Sequence, residues 1–278
     1  MVQLDTDAAL EAILNAGIAH RETIHEWPLS CVQKLCLDNN VKYAYKSQLP
    51  PTVEPEFYEK AVSALLPGHS ILGRLGECVT MLLQWIDAPS LRGFANNEEL
   101  MVHSKKVIEQ IGGIRGSVPV YLDIGTDTAW LAAVSDTLEK LGTLLGDGRM
   151  KLEDSGVIKY FRNWAESAGV LSALSQNSRV IHGDFRAEQI FVTEDGYRVI
   201  DWQRPVLAPA EVDLVSLLVD RHISPYGIID NPVIGIFWFL RLHWVVVAQH
   251  DLFPQKHWPV YSQLASEALN QILLCRTR

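Results

Sequence analysis

Between Val180 and Trp202 the chain carries two carboxylates and an amide at spacings that a folded backbone can bring together. Ile190 to Thr193 and Tyr197 to Ile200 are runs of β-formers separated by Glu194-Asp195-Gly196, so the pattern predicts a hairpin. Gln189 and Asp201 lie six residues either side of Asp195. With that residue at the turn, their side chains emerge together at the open end of the hairpin, beside the segment that carries Asp184. Carboxylate and amide oxygens suit a hard cation such as Mg²⁺, which also takes phosphate oxygens.

The elements that must position this segment can be read from patterning. Asp5 or Thr6 can cap a first helix with Leu10, Ile13 and Leu14 on one face and Gly17 at its end. Cys31 to Cys36, then Asp38-Asn39-Asn40, then Val41 to Lys46 predicts strand, turn, strand. Pro55 suits the first turn of a helix running to about Leu66, where Pro67-Gly68 stops it. Two further strand-like stretches occupy Ile71 to Ile86, and Asn96 followed by Glu99 marks a helix start. Leu131, Val134, Leu138, Leu141 and Leu145 repeat at 3-4-3-4 spacing and predict a helix with one apolar face. The change from strand-rich to helix-rich texture falls near Asp87 to Arg92, which divides the chain into residues 1–88 and 89–278.

Composition removes several classes. The chain has 278 residues, 48% of them hydrophobic and 21% charged, as expected of a globular protein rather than a disordered one. Its 24 basic and 33 acidic residues give a formal net charge of −9, and no basic run offers the footprint that nucleic acid requires. The most apolar stretch, Val233 to Ala248, is broken by Arg241 and His243, so it reads as a buried helix rather than a membrane span. Cys31, Cys36, Cys78 and Cys275 form no CxxC pair, and the N-terminus lacks the pattern of a secretion signal, so reduced thiols in a cytoplasmic protein are expected. The histidines show no zinc-ligand spacing. Gly112-Gly-Ile-Arg-Gly-Ser117 lacks the lysine of a phosphate loop and reads as a turn. Trp238, Trp244, Trp258 and Tyr261 could wall a cationic ligand, although packing in a helical core is the commoner fate of such residues.

His182-Gly183-Asp184, five further residues to Gln189, and then Asp201-Trp202 resembles the catalytic segment of the aminoglycoside phosphotransferase and choline kinase-like family, small-molecule kinases that share the protein-kinase fold. The family pattern is H-G-D-x-x-x-x-N followed by D-x-E or D-W. The resemblance implies that Asp184 accepts or orients the proton of an acceptor hydroxyl, and that Gln189 and Asp201 ligate the metal. Arg186 stands where protein kinases place a lysine in the catalytic loop, which implies contact with the transferring phosphoryl group rather than a solvated loop position. Lys46 matches the lysine that holds the α- and β-phosphates, with Glu59 on the next helix as the first choice of partner and Glu56 as the second. Gln84-Trp85-Ile86 would form the hinge, with the backbone of Gln84 and Ile86 on the adenine. Asp213 matches an aspartate that braces the catalytic loop, and it equally suits a helix N-terminus. His182 takes a bracing part rather than that of a base.

Two departures stand out. Gln189 replaces the family's asparagine, moving the amide oxygen one methylene outward. The glycine-rich loop between the first two strands is absent from Trp27-Pro-Leu-Ser-Cys31, where only Ser30 is small enough to let phosphate approach the backbone.

The sequence therefore predicts a two-lobed, protein-kinase-like α+β fold, with a small sheet-plus-helix N-lobe and a larger, mainly helical C-lobe. The expected activity is transfer of the γ-phosphoryl group of ATP or GTP, with Mg²⁺, to a hydroxyl of a small molecule, with an aminoglycoside, choline or another amino-bearing alcohol among the candidates. The alternative is a kinase-like binding protein without turnover.

Overall fold

The computed structural model describes residues 1–152, 154, 156–255 and 258–277. The chain divides into two compact units, Met1–Tyr121 with Ala187–Pro205, and Leu122–Arg186 with Val206–Arg278.

The first unit is built on a five-stranded antiparallel sheet in the order β1-β2-β3-β5-β4. Helix α1 (Asp7–Leu14) precedes it, with Thr6 Oγ1 accepting the Ala9 N–H as N-cap. It ends on Asn15 in the left-handed conformation rather than on Gly17, since asparagine tolerates that region too. Strands β1 (Ile18–Trp27), β2 (Ser30–Leu37) and β3 (Lys42–Gln48) follow as a meander, and the β2–β3 turn uses Asn40 at φ 64°. Helix α2 (Glu54–Lys60) starts beside Pro55 as expected but stops well short of Leu66. Val62 forms a β-bridge with Arg115, which draws the chain out of helical geometry. Strands β4 (His69–Leu75) and β5 (Cys78–Gln84) close the sheet, and α3 (Asn97–Ile111) is capped by the Asn96 side chain. The Gly112 to Ser117 segment is the turn after α3, and a Cβ at Gly116 would lie 2.0 Å from the Lys60 carbonyl oxygen.

The second unit begins with β6 (Leu122–Asp123) and α4 (Asp127–Gly146), followed by α5 (Val157–Ala165), α6 (Ala168–Asn177) and β7 (Ser178–Ile181). The chain then contributes the hairpin β8 (Ile190–Thr193) and β9 (Gly196–Val199) to the first unit. It returns with β10 (Val206–Pro209), α7 (Glu211–Asp220), α8 (Asn231–Val247) and α9 (Pro259–Thr277). Strand β10 pairs in parallel with β6 and antiparallel with β7. The core face of α4 is turned by about one residue from the expected one. Trp130, Val134, Leu138, Leu141 and Leu144 are buried, while Leu131 is 38% exposed. Trp130 anchors that core by donating its indole N–H to the Ala165 carbonyl and meeting Phe239 edge to face at 4.5 Å. The segment Asn231–Leu252 is long and apolar enough to cross a membrane, yet 78% of its most apolar window is buried inside the protein, which makes it the central core helix.

The division into units differs from a split at residue 88. Helix α3 and the β8–β9 hairpin belong to the first unit. Val192 donates to the Pro89 carbonyl, Ser90 bridges Phe191 and the His103 ring meets the Tyr197 hydroxyl at 2.7 Å, while Val199 donates to the Leu65 carbonyl and Val62 bridges Arg115 between α2 and β4.

Candidate active site

The first unit assembles Lys46, Glu54, Gln189 and Asp201. Lys46 projects from the middle of β3, opposite Met81 of β5, and its Nζ lies 2.6 Å from Glu54 Oε2 and 2.7 Å from Asp201 Oδ1. The β8–β9 hairpin brings Gln189 back to Asp201, and the Gln189 amide donates to Asp201 Oδ2 at 3.2 Å. Asp201 is held at φ 72°, a left-handed conformation in which a non-glycine residue persists only when its surroundings fix it. Trp202 supplies that fixing. Its ring stacks on Phe57 at 4.4 Å and its indole N–H donates to the Val199 carbonyl.

Glu54 is the partner of Lys46, and neither Glu59 nor Glu56 is. Glu59 is exposed, and Glu56 pairs with Lys60. The local pattern explains this. Glu54 lies three and four residues before Phe57 and Tyr58, so the carboxylate shares the face that those buried rings turn to the sheet. Burial favours deprotonation of Lys46, but the facing carboxylates of Asp201 and Glu54 outweigh it and raise the pKa above that of an ordinary lysine. Burial raises the pKa of Glu54, against the pull of the ammonium. The Lys46 ammonium thus faces both carboxylates. The carboxylate and amide oxygens of Asp201 and Gln189 fit a hard divalent cation, provided the Gln189 amide turns its oxygen toward it.

Ser30 begins β2 opposite Trp27 across a two-residue turn, and its side chain is buried within the sheet. The turn is tied down by the Leu49 N–H on the Leu29 carbonyl. At the other end of the sheet, Gln84 and Trp85 donate their backbone N–H groups to the carbonyls of Gly68 and Lys42, and Ile86 follows just after the strand.

The second unit holds the His182-Gly183-Asp184 loop after β7. Asp213, in the first turn of α7, is fully buried and accepts the backbone N–H groups of His182 at 2.8 Å and Gly183 at 3.0 Å. Gly183 takes φ 82°, a value that glycine adopts without strain. Burial holds the Asp213 carboxyl above the usual range, opposed by His182 and the two N–H donors. Asp184 receives Arg186 through Nε at 3.2 Å and Nη2 at 3.3 Å. A second guanidinium, that of Arg241 on α8, places Nη1 at 4.0 Å from Asp184 Oδ1. The sequence showed Arg241 only as an interruption of an apolar run. Trp238 is buried and packs on Phe237, whereas Trp258 stacks on Tyr261.

Residues 68–231, more than half of the chain, match the phosphotransferase enzyme family, APH. The chain belongs to this family. No curated protein matches it. Among solved structures it is similar to a thermostable mutant of the aminoglycoside phosphotransferase APH(4)-Ia in a ternary complex with ADP and hygromycin B, with TM-score 0.66 and 11% identity, over 99% of this chain and 100% of that one. Spectinomycin phosphotransferase APH(9)-Ia in complex with ADP and spectinomycin is similar over 99% of both chains, with TM-score 0.58 and 15% identity. A choline/ethanolamine kinase family protein from Mesorhizobium loti gives TM-score 0.65 and 14% identity over 98% of this chain and 94% of that one. The fold of this family member is the protein-kinase-like α+β fold that its catalytic segment implied.

Proposed function

We propose that the protein is an ATP- and Mg²⁺-dependent phosphotransferase that moves the γ-phosphoryl group to a hydroxyl of a small molecule in the cytoplasm. The observation that carries this is the Lys46 ammonium held at 2.6 Å and 2.7 Å between Glu54 and Asp201, with Gln189 on the other oxygen of Asp201. A lysine fixed in this way presents its charge to the α- and β-phosphates at little further cost in side-chain order. Asp201 and Gln189 would hold Mg²⁺, which when bound neutralises charge on the phosphate oxygens. The backbone of the segment from Gln84 to Ile86 would meet the base, with GTP as the competing nucleotide. Ser30, being buried, would act through the backbone of its turn.

Asp184 accepts the hydrogen bond of the acceptor hydroxyl and aligns its oxygen. As that oxygen bonds to the γ-phosphorus and the bond to the ADP oxygen breaks, the hydroxyl proton passes to an Asp184 oxygen. Arg186, already on Asp184, takes up the equatorial phosphoryl oxygens. Asp213 keeps the loop in place through two backbone N–H groups.

The test is phosphoryl transfer from ATP and from GTP to a panel of alcohols, with and without Mg²⁺. Metal-dependent turnover that Asp184→Ala abolishes, with an unchanged circular dichroism spectrum, is expected. Wild-type transfer no faster than that of the variant would establish instead a binding protein without turnover, the reading that the glycine-free β1–β2 turn favours.

A further inference from the structure

The mechanism leaves one buried polar side chain of the first unit without a task. Side chains alternate along β3, so Gln48 lies on the face of Lys46, one strand period of roughly 7 Å further on. In the ladder Ser30 and Val79 flank Gln48 as Val32 and Met81 flank Lys46, and the Leu49 N–H on the Leu29 carbonyl pins the chain just past it. The backbone that aims Gln48 is thus held on both sides. Glu54 is the first residue of α2, six residues later, and the short connection returns its carboxylate to the end of β3. Gln48 is 1% exposed and Glu54 0%.

Polar groups buried this deeply need partners. Glu54 Oε2 has Lys46 at 2.6 Å, which leaves Oε1 to be accounted for. No described residue meets Glu54 Oε1, or either polar atom of the Gln48 amide, with the full geometry of a hydrogen bond. The two groups nevertheless interact. Burial raises the pKa of Glu54, and the Gln48 amide acts with Lys46 to lower it. An ionised carboxylate only accepts and an NH₂ group only donates, so the two are complementary. The terminal torsions of both side chains are soft, and a small rotation brings donor and acceptor into line. Tyr58, one helical turn after Glu54, has the other buried hydroxyl of α2 and is the rival partner.

We propose that Gln48 is a positioning residue whose side-chain NH₂ donates to Glu54 Oε1, which keeps Oε2 on Lys46 and the ammonium at the place where the phosphates bind. What Lys46 binds rests on the phosphotransferase reading above, whereas the bond between Gln48 and Glu54 does not. A carboxylate gripped at one oxygen can swing about its terminal torsion and carry the ammonium with it. With both oxygens held, the charge of Lys46 stays at one point.

The experiment is calorimetry of Mg-ATP, Mg-ADP and adenosine with wild type, Gln48→Met, Glu54→Ala and the double variant, alongside urea denaturation of all four. Methionine keeps the length of the side chain and removes the donor. Gln48→Met is expected to weaken Mg-ATP and Mg-ADP about tenfold and to leave adenosine within about twofold, since Lys46 meets the phosphates and not the base. In the Glu54→Ala background the same substitution should change Mg-ATP binding by less than about twofold, and the losses in urea midpoint should be non-additive. In Tyr58→Phe the Gln48→Met effect should persist, and its disappearance there would overturn the assignment to Glu54. Unchanged Mg-ATP binding in Gln48→Met, equal losses in the two backgrounds, or an equal loss for adenosine also overturns the inference and leaves the phosphotransferase reading standing. Wild type that binds no Mg-ATP overturns that reading instead. The urea cycle then decides the bond between Gln48 and Glu54 by itself, with additive losses refuting it.

Discussion

Glu54 Oε2 lies 2.6 Å from Lys46 Nζ, with the two side chains 0% and 6% exposed. Removing Glu54 takes away one of the two carboxylates on the buried Lys46 ammonium and leaves it on Asp201 alone. Glu54→Ala is expected to lose about 1–3 kcal/mol in urea denaturation, the cost of a hydrogen-bond partner removed from a buried charged group, and to reduce kcat/KM about a hundredfold, through a misplaced lysine. Glu59→Ala, at an exposed position of the same helix, should stay within about 0.5 kcal/mol of wild type. Equal losses in the two variants would contradict the assignment of Glu54.

The two backbone N–H groups on Asp213 set a second expectation. Asp213→Asn keeps one acceptor oxygen and turns an NH₂ group on the remaining donor, which orphans a buried N–H at about 1–3 kcal/mol. Lower Tm together with lower kcat is expected, since the displaced loop carries Asp184. An unchanged kcat at saturating acceptor would remove the loop-bracing role.

His243 supplies the pH dependence. Thr137 donates its hydroxyl hydrogen to the Ala133 carbonyl at 2.7 Å, so its oxygen accepts from the His243 Nδ1–H at 2.9 Å, which selects the Nδ1–H tautomer of the neutral ring. Burial lowers the imidazole from 6.5 to about 4. The folded pKa is below the unfolded one, so the associated stability is present above pH 6.5 and is lost as pH falls toward 4. The loss amounts to about 3 kcal/mol. Urea midpoints for wild type and His243→Gln between pH 7 and pH 4 should show this loss in wild type and not in the variant. Parallel curves would refute it.

Gly235 shows how closely α8 packs. A Cβ there would lie 2.2 Å from the Trp164 ring. Gly235→Ala is expected to destabilise by about 1–3 kcal/mol through overpacking, although alanine favours the helix by roughly 1 kcal/mol. A rise in Tm would show that the ring has room to move.

Local chemistry was legible in the sequence where it depended on chain neighbours. The hairpin and the meeting of Gln189 with Asp201 followed from β-formers around a turn. The register runs from Ile190 opposite Val199 to Thr193 opposite Gly196, which centres the turn between Glu194 and Asp195. Gln189 therefore stands opposite Ile200 in the ladder, and its longer side chain spans the remaining step to Asp201. The partner of Lys46 was less legible. The choice among Glu54, Glu56 and Glu59 depends on which face of α2 meets the sheet, and that face is set by Phe57 stacking on Trp202, far along the chain. The same limit applied to α4, where Trp130 and its ring contacts fixed the buried face and left Leu131 outside. Arg241 needed the fold as well, since only tertiary packing brings a residue of α8 to Asp184.

The most direct measurement is ATP binding by calorimetry with Mg²⁺ and with EDTA, for wild type and Asp201→Ala. Tight binding that needs the metal, weakened at least about tenfold by chelation or by the substitution, is the expected result for oxygens that hold a metal-bound triphosphate. ATP binding that is the same with and without Mg²⁺, or that survives the loss of the Asp201 carboxylate intact, would contradict it.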